Sequence, residues 1–394
     1  MSNCPPKGQP ESIFVFAGEA SGDLYGAKLV EQLKKTYPRA SFFGVGGKEL
    51  QNADLEIIYP LEHFSVMGFS DVLKALPRLI KSLFYLRKLI LARQPKLCLF
   101  IDQPDFSLRL AKLLRQKKFS GKIVQFVAPT VWAYKKKRAA LFAEYFDLLL
   151  TLFSFEPAHF AHTPLKTVWT GHPLVEVIEQ SVVENEKKEI SLLSIFPGSR
   201  PGEIQRNLPI QLEAACLFCF NQKDTKWEIA ISQANLALND YLNIIESVRQ
   251  KSHFYGQINL VPFEKRYDLM RSSSFALAKS GTVTLELALC GCPTLVSYEL
   301  SFLNRFIATH LLKGDRPFYC IVNILKKKEI FCEMIKEKIT PTALLHKLLQ
   351  IEADTEKKET IKKECKELFS LLQGVKKPTI TACEAIAQLC DNPL

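Results

Sequence analysis

Short, wholly apolar runs alternate along the chain with longer stretches in which apolar positions recur every three or four residues. The first pattern suits a strand buried on both faces and the second a helix that covers it, so their succession predicts parallel sheets built from strand-helix-strand units. Strands are expected at 13–17, 42–45, 97–101, 123–127, 148–152 and 167–170, enough for one sheet. After Gly171-His172-Pro173 comes a Glu- and Lys-rich stretch, 184–189, with the composition of a connection between domains. A second series is expected at 192–196, 227–231, 257–261, 275–278 and 294–297, and from Pro341 onward the pattern is helical and strongly charged, closing with a helix over 378–389. The division that follows is 1–175, 176–355 and a helical segment 356–394 that is free to return to the first domain.

Length and composition sharpen this picture without changing it. A chain of 394 residues suits two domains, and 47% hydrophobic with 24% charged residues is a folding composition. The first twelve residues are polar and carry no apolar signal core, so export is not expected. The best candidate for a membrane span, 139–155, is interrupted by Glu144 and Asp147. Eleven cysteines without framework spacing read as reduced thiols of a cytoplasmic protein. The one close pair, Cys216 and Cys219, lies in a helical pattern with no second pair or histidine, which argues for core packing and against zinc. His159 and His162, one turn apart, lack further ligands and read as surface or capping residues. A net charge of +11 implies an anionic counterpart: nucleic acid, a phosphorylated substrate or acidic lipid.

Ligands of parallel sheets bind beyond the carboxyl ends of the strands, so chemistry is sought in the loops that follow them. The first strand runs into Ala17-Gly18-Glu19-Ala20-Ser21-Gly22-Asp23, where two glycines permit a tight turn close to a ligand and a helix starting near Leu24 offers unpaired N–H groups. The plain alternative is an ordinary turn capped by Asp23. Gly44-Val45-Gly46-Gly47 follows the second strand, but Glu49 stands where a dinucleotide fingerprint needs its third glycine, and no Gly-x4-Gly-Lys-Ser/Thr loop occurs. Ile101-Asp102-Gln103-Pro104-Asp105-Phe106 sets two carboxylates at the mouth of the first domain. Asp102, at the end of a rigid strand, fits a general base better than Asp105, although either could cap the next helix.

In the second half, Pro197-Gly198-Ser199-Arg200 ends a strand. Gly198 and Ser199 let the backbone approach a diphosphate, and Arg200 supplies a cationic fork. Lys279-Ser280-Gly281-Thr282 ends another, with Glu286 one turn into the helix. Its N–H groups suit phosphate oxygens and the carboxylate suits ribose hydroxyls, with a capping box as the alternative. The segment 73–93 carries Lys74, Arg78, Lys81, Arg87, Lys88 and Arg93 around an apolar stripe of Leu76, Ile80, Leu83, Phe84 and Ile90. A basic amphipathic helix of this kind suits a membrane surface, and equally an ordinary covering helix. Neither it nor the cluster Lys135 to Arg138 belongs to a nucleic-acid reading module, so nucleic acid is not an expected partner.

The order of these motifs says more than any one of them. Ala17 to Asp23, Val66-Met67-Gly68, Ile101 to Phe106, Ala128-Pro129-Thr130-Val131-Trp132-Ala133, Phe155-Glu156-Pro157, Gly171-His172-Pro173, Pro197 to Arg200, and Ser280 to Thr282 through Glu286 resemble the lipid-A-disaccharide synthases, in that order and over nearly the whole chain. The resemblance implies two facing Rossmann-like domains of the GT-B glycosyltransferase type, the nucleotide held by the second and the acceptor by the first. It implies inverting transfer of 2,3-diacylglucosamine from UDP-2,3-diacylglucosamine to 2,3-diacylglucosamine 1-phosphate, with a β(1→6) linkage and release of UDP. Asp102 and Glu19 are then the catalytic candidates. Gly198, Ser199, Arg200, Ser280, Gly281, Thr282, Glu286 and Asn323 are those for the nucleotide. No metal or other cofactor is implied. A lipid substrate implies peripheral contact with the inner face of the cytoplasmic membrane.

Three positions depart from the family pattern: Val322 precedes Asn323 where proline is usual, Gln103 replaces a typical alanine, and Lys336 stands where glutamine is common. The competing readings are another UDP-sugar enzyme of the same fold, such as a lipid-linked glycosyltransferase or an epimerase, and a non-catalytic membrane-surface binding protein.

Overall fold

A computed structural model describes residues 10–64, 69–129, 138–181, 191–222, 225–234, 236–298, 318–334 and 339–391, with side chains left out at 69–74. The chain divides into two units, residues 1–176 with 371–394 and residues 177–370. In the first, β1 (Ser12–Ala17), β2 (Ser41–Gly46), β3 (Glu56–Pro60), β4 (Leu97–Ile101), β5 (Lys122–Phe126), β6 (Leu148–Thr151) and β7 (Lys166–Trp169) form one parallel sheet in the order β3-β2-β1-β4-β5-β6-β7. In the second, β8 (Ser191–Phe196), β9 (Trp227–Ser232), β10 (Ile258–Val261), β11 (Phe275–Ala278), β12 (Thr294–Ser297) and β13 (Cys332–Met334) form another, in the order β10-β9-β8-β11-β12-β13. Each is a doubly wound α/β arrangement whose strand order reverses once, between β1 and β4 in one sheet and between β8 and β11 in the other.

The four strands beside these reversals are the apolar runs of the sequence, and nearly every residue in them is buried. Phe14 and Phe16 of β1 meet Phe43, Phe64 and Phe100 in edge-on or tilted contacts, with Phe106 stacked on Phe16 at 4.8 Å. Two strands escape the sequence pattern, β3 and β13. Both are sheet edges, β3 only half-buried and β13 three residues long, and so neither needs a continuous apolar run.

The helix Phe69–Arg93 corrects the single stripe expected of it. Leu86 and Ile90 are buried and Leu79 and Leu83 pack against the same core, whereas Leu76, Ile80, Phe84 and Tyr85 face outward at 36 to 48% exposure. The helix therefore has two apolar faces, and only one is covered by described residues of its own unit.

The C-terminal helix, Pro378–Asp391, packs on the helix Ala20–Thr36 of the first unit. It is tied at its start by Glu176, whose buried carboxylate accepts from the Thr379 amide at 2.7 Å and from the Thr379 hydroxyl. A carboxylate at a helix N-terminus meets the positive end of the helix dipole. Just upstream, Gly171 and Gly374 adopt left-handed φ values of +83° and +70°. A Cβ on Gly171 would stand 2.9 Å from the Leu372 carbonyl oxygen, and the neighbouring His172 amide donates to that same oxygen at 2.9 Å.

His172 is buried edge-on to Tyr25, and its Nδ1 accepts from the Leu174 amide. Burial depresses its pKa to about 3. A histidine kept neutral in the fold but free to charge when unfolded stabilises the protein above about pH 6.5, and that contribution is lost as pH falls toward the folded value. Chemical denaturation between pH 7 and pH 5 should show a slope from this one group approaching about 1.4 kcal/mol per pH unit below pH 6. His172→Asn, whose Oδ1 can replace Nδ1 as acceptor, should flatten that slope. An unchanged slope would show that His172 is charged in the fold.

Candidate active site

At the first reversal the helix Ala20–Thr36 begins directly after β1, four residues earlier than the sequence suggested. Glu19 is its N-cap residue, in extended conformation and without a side-chain cap bond. Asp23 therefore lies inside the first turn and caps a different helix. Its buried carboxylate accepts from the amides of Gly47 at 2.6 Å, Glu49 at 3.0 Å and Leu50 at 3.3 Å, at the start of Lys48–Asn52. The loops after β1 and β2 are thus fastened by one side chain. Gly22 allows the helix to approach β4, since a Cβ there would stand 3.3 Å from the Ile101 carbonyl oxygen.

Beyond β4, Asp102 and Gln103 both take left-handed backbone conformations, φ +59° and +44°. Two such residues in succession cost conformational energy and are tolerated where the surroundings fix them. The Asp102 amide donates to Phe126 O at 3.0 Å, and its Oδ1 accepts from the Gln103 amide at 2.8 Å. Burial raises the Asp102 pKa, an effect partly offset by the Gln103 amide and the Ser21 hydroxyl. Asp102 is not the cap of Pro104–Gln116, whose N-cap residue is Gln103. Asp105 is exposed and pairs with Arg138 at 2.7 Å, so it is neither a cap nor a desolvated base. Burial gives Asp102 a raised proton affinity, the property asked of a general base.

Gln103 accounts for its own presence. Its Nε2 lies within hydrogen-bond reach of Gly18 O at 3.0 Å, Phe64 O at 3.2 Å and Glu19 Oε1 at 3.3 Å, bridging the loops after β1 and β4. A Cβ on Gly18 would stand 2.4 Å from Gln103 Oε1, so glycine and glutamine are fitted to one another. The structure thereby brings Glu19 and Asp102 to one switch point.

At the second reversal the loops after β8 and β11 meet on Glu203. This buried carboxylate, in the first turn of Pro201–Asn221, lies 3.1 Å from Lys279 Nζ and 3.5 Å from an Arg200 nitrogen, and accepts from the Ser199 amide at 3.4 Å. Gly198, at φ +129°, leaves no room for a side chain: a Cβ would come within 2.8 Å of Glu203 Oε2. Gly281 and Thr282 are exposed at the start of Thr282–Leu289, with Ser280 half-buried before them. Gly281 O accepts from the Thr284 hydroxyl at 2.7 Å. Exposed small residues, an arginine and the start of a helix at one switch point can receive a phosphate group. Neither Lys279 nor Glu203 was assigned a role from sequence, although Lys279 opens one of the motifs singled out there and Glu203 follows another by three residues.

Glu286 is held by a cluster in the helix Arg266–Ser272. Its Oε1 accepts from the Tyr267 hydroxyl at 2.8 Å and from Arg266 Nε at 3.5 Å, and Arg266 lies over the rings of Phe263 and Tyr267. Burial first, and then the Glu286 charge, raise the Tyr267 pKa, which keeps its hydroxyl a donor. Asn323 corrects its expected role as a nucleotide contact. It is fully buried, with Nδ2 donating to Phe331 O and Glu333 Oε1 at 2.7 Å each and Oδ1 accepting from the Ile330 and Phe331 amides. An amide can make four such bonds, and all four are used within the chain. Glu333 also accepts from the Tyr319 and Cys320 amides, so Asn323 orders the start of Ile321–Lys326 rather than touching a ligand.

His159 and His162 are exposed, Cys216 is buried in a helix with Cys219 partly covered, and no group of three His, Cys, Asp or Glu placed to hold a metal occurs among the described residues. The motifs Val66 to Gly68 and Thr130 to Ala133, Lys135 to Lys137 of the basic cluster, the stretch 184–189 and Lys336 lie outside those residues.

Residues 13–386 match the family described as lipid-A-disaccharide synthetase. A protein named lipid-A-disaccharide synthase in Alcanivorax borkumensis is 30% identical over 92% of this chain and 94% of its own. One of the same name in Chlamydia pneumoniae is 37% identical over 90% of this chain and 59% of its own, so the chain spans about three fifths of that longer relative. Among solved structures, the glycotransferase of kitacinnamycin superposes with a TM-score of 0.60 at 12% identity, covering 97% of this chain and 99% of its own, which places the two Rossmann-like units in the GT-B fold class.

Because burial raises the Asp102 pKa, its charged form detracts from stability once pH exceeds the ordinary carboxylate value. Asp102→Asn removes that charge and keeps the acceptor for the Gln103 amide. Its melting temperature at pH 7 should equal or exceed that of the wild type by differential scanning fluorimetry. A fall of several degrees would mean that the carboxylate serves the loop and not chemistry.

Proposed function

Since the chain belongs to the lipid-A-disaccharide synthetase family, we propose that it transfers 2,3-diacylglucosamine from UDP-2,3-diacylglucosamine to 2,3-diacylglucosamine 1-phosphate. The observation that carries the reading is the half-buried Asp102 at the switch point of the first sheet, held in left-handed backbone conformation with Glu19 brought beside its loop by Gln103. The acceptor 6-hydroxyl attacks C1 of the donor sugar, its proton passes to the Asp102 carboxylate, and the C1–O bond breaks with its electron pair going to UDP. One displacement of this kind inverts the α donor to a β(1→6) product and needs no covalent intermediate. Glu19, tied to Asp102's loop through Gln103, orients the acceptor. Arg200, with the backbone of Gly198, Ser199 and Ser280 to Thr282, receives the charge that grows on the diphosphate. Glu286 accepts from the ribose hydroxyls, its Oε1 held by Tyr267.

Incubation with both lipid substrates, followed for UDP and a disaccharide 1-phosphate, tests the reaction; an epimerase would turn over a UDP-sugar without acceptor. Asp102→Asn should lower turnover roughly 10²- to 10⁴-fold. In the wild type the acid limb of kcat/KM should lie above the usual aspartate value near 3.9, because the base must lose its proton to act. Turnover within a few-fold of wild type in Asp102→Asn would remove the base assignment.

No helix among the described residues is long and apolar enough to cross a membrane. The substrates are lipids, however, and we propose peripheral binding through the uncovered face of Phe69–Arg93, where Leu76, Ile80 and Phe84 stand at successive turns among the exposed Arg78, Lys81 and Lys88. The protein should float with vesicles containing anionic lipid and be released by salt, and Arg78→Glu with Lys81→Glu should weaken flotation without lowering the melting temperature. Equal recovery with neutral and anionic vesicles at every ionic strength would refute the electrostatic part.

A further inference from the structure

Gln125 is fully buried in β5, between the apolar Val124 and Phe126. A primary amide placed there loses its water and costs free energy unless both its oxygen and its nitrogen find partners, whereas a methionine would fill the same space at no such cost. Both ends are satisfied. Oε1 accepts at 2.7 Å from the hydroxyl of Ser107, itself fully buried near the start of Pro104–Gln116. That hydroxyl also lies 3.2 Å from Gln103 O, the more distant of its two acceptors. Nε2 faces three carbonyl oxygens, those of Asp102 and Phe126 at 3.1 Å each and of Val127 at 3.2 Å. With acceptors around its nitrogen and a hydroxyl at its oxygen, the amide has one orientation that satisfies it.

The three carbonyls belong to the place where β4 and β5 stop. The ladder between these strands ends with Ile101 opposite Phe126, and one residue further both chains turn into the left-handed region, Asp102 at φ +59° and Val127 at φ +76°. For valine, branched at Cβ, a positive φ is an outlier that costs free energy and persists only where its surroundings impose it. Gln125 takes the carbonyls of both turned residues on one amide. Gln103 ties the same turn to the loops after β1 and β3, so two side chains from different strand ends hold the Asp102 backbone. Rotation about φ swings Cβ relative to the strand that precedes it, and so the backbone conformation of Asp102 decides where its carboxylate lies.

We infer that Gln125, oriented by Ser107, is a positioning residue for the base: by holding the Asp102 and Val127 carbonyls it keeps Asp102 in the left-handed conformation that presents its carboxylate to the acceptor hydroxyl. This role rests on the reading of Asp102 as the base given above. Gln125 acts through Asp102 and through no contact of its own with the reacting atoms.

The test compares Gln125→Met, Ser107→Ala, Asp102→Asn and the double variant Asp102→Asn with Gln125→Met, for turnover with both lipid substrates, UDP affinity by calorimetry and melting temperature. Gln125→Met fills the volume and removes the amide. It should lose about ten- to hundred-fold in kcat, the effect of displacing a reacting group by on the order of 1 Å, with UDP affinity unchanged. The acid limb of kcat/KM should move down toward the ordinary aspartate value near 3.9, because a carboxylate released from its turn regains water. Ser107→Ala leaves the amide but not the bond that orients it; it should shift both quantities the same way by less, and it stands in for the methionine variant if that one fails to fold. In the double variant the loss of Gln125 should add little to that of Asp102→Asn, since a residue acting through another has no effect once the other is gone. A folded Gln125→Met with wild-type kcat and an unmoved acid limb, or a double variant in which the two losses multiply, would overturn the proposal while an inactive Asp102→Asn leaves the base standing. Near-wild-type turnover in Asp102→Asn is a different result: it removes the base, and the positioning role with it.

Discussion

Each sheet reverses its strand order once, and that reversal governs where this protein can do chemistry. Helices after β1 and β4 run to opposite faces of one sheet, and those after β8 and β11 to opposite faces of the other. The loops on either side of a reversal part, leaving backbone amides and carboxyl-end side chains that the sheet cannot satisfy. The chain fills the first gap with Gln103, which spans to Gly18 and Glu19, and the second with Glu203, which takes Lys279 and Arg200. In both places a bridging side chain sets the geometry and a glycine gives it room.

The two gaps are charged in opposite senses. The first isolates a carboxylate, so that Asp102 holds its proton more tightly than an exposed aspartate. The second sets two cations, Lys279 and Arg200, against the buried carboxylate of Glu203. An acidic, proton-accepting end and a cationic, anion-accepting end are the two requirements of a displacement in which a hydroxyl gives up a proton and a phosphate carries charge away. In the proposed reaction each requirement falls to one unit, on loops whose positions follow from that unit's own sheet.

Much of this was legible in the residue pattern. Strands β1, β4, β8 and β11 are buried on both faces and so had to be written in apolar residues, which also located the loops that follow them. The edge strands β3 and β13 carry no such obligation and passed unnoticed. Glycines at 18, 198 and 281 marked loops where the backbone comes close to something, and the acidic and basic residues beside them marked the charges. What the pattern lacks is pairing across loops distant in sequence. Glu203 and Lys279 lie 76 residues apart (279 − 203), in two separate strand-to-helix segments, and nothing in either segment reveals that they pair. Asn323 failed for the converse reason: an amide near a ligand loop looks available until its four partners are counted. The stripe on Phe69–Arg93 was seen as one face because helical periodicity does not distinguish Leu83 and Ile90, which turn inward, from Ile80 and Phe84, which do not.

The return of the helix Pro378–Asp391 to the first unit makes the second unit an insertion, spliced in between Glu176 and Leu371. Its two junctions are pinned together, with Gly171 and His172 against Leu372 and Glu176 on Thr379. On a ribosome, the sheet of the first unit emerges early, yet the helix that covers Ala20–Thr36 is made only after the whole inserted unit. Through the synthesis of the whole inserted unit, Leu29, Leu33 and their neighbours must wait for a cover supplied by residues that follow it. A second unit that folds promptly draws its own ends together and shortens the loop that the helix Pro378–Asp391 must close, so the order of translation gives the inserted unit a hand in completing its host.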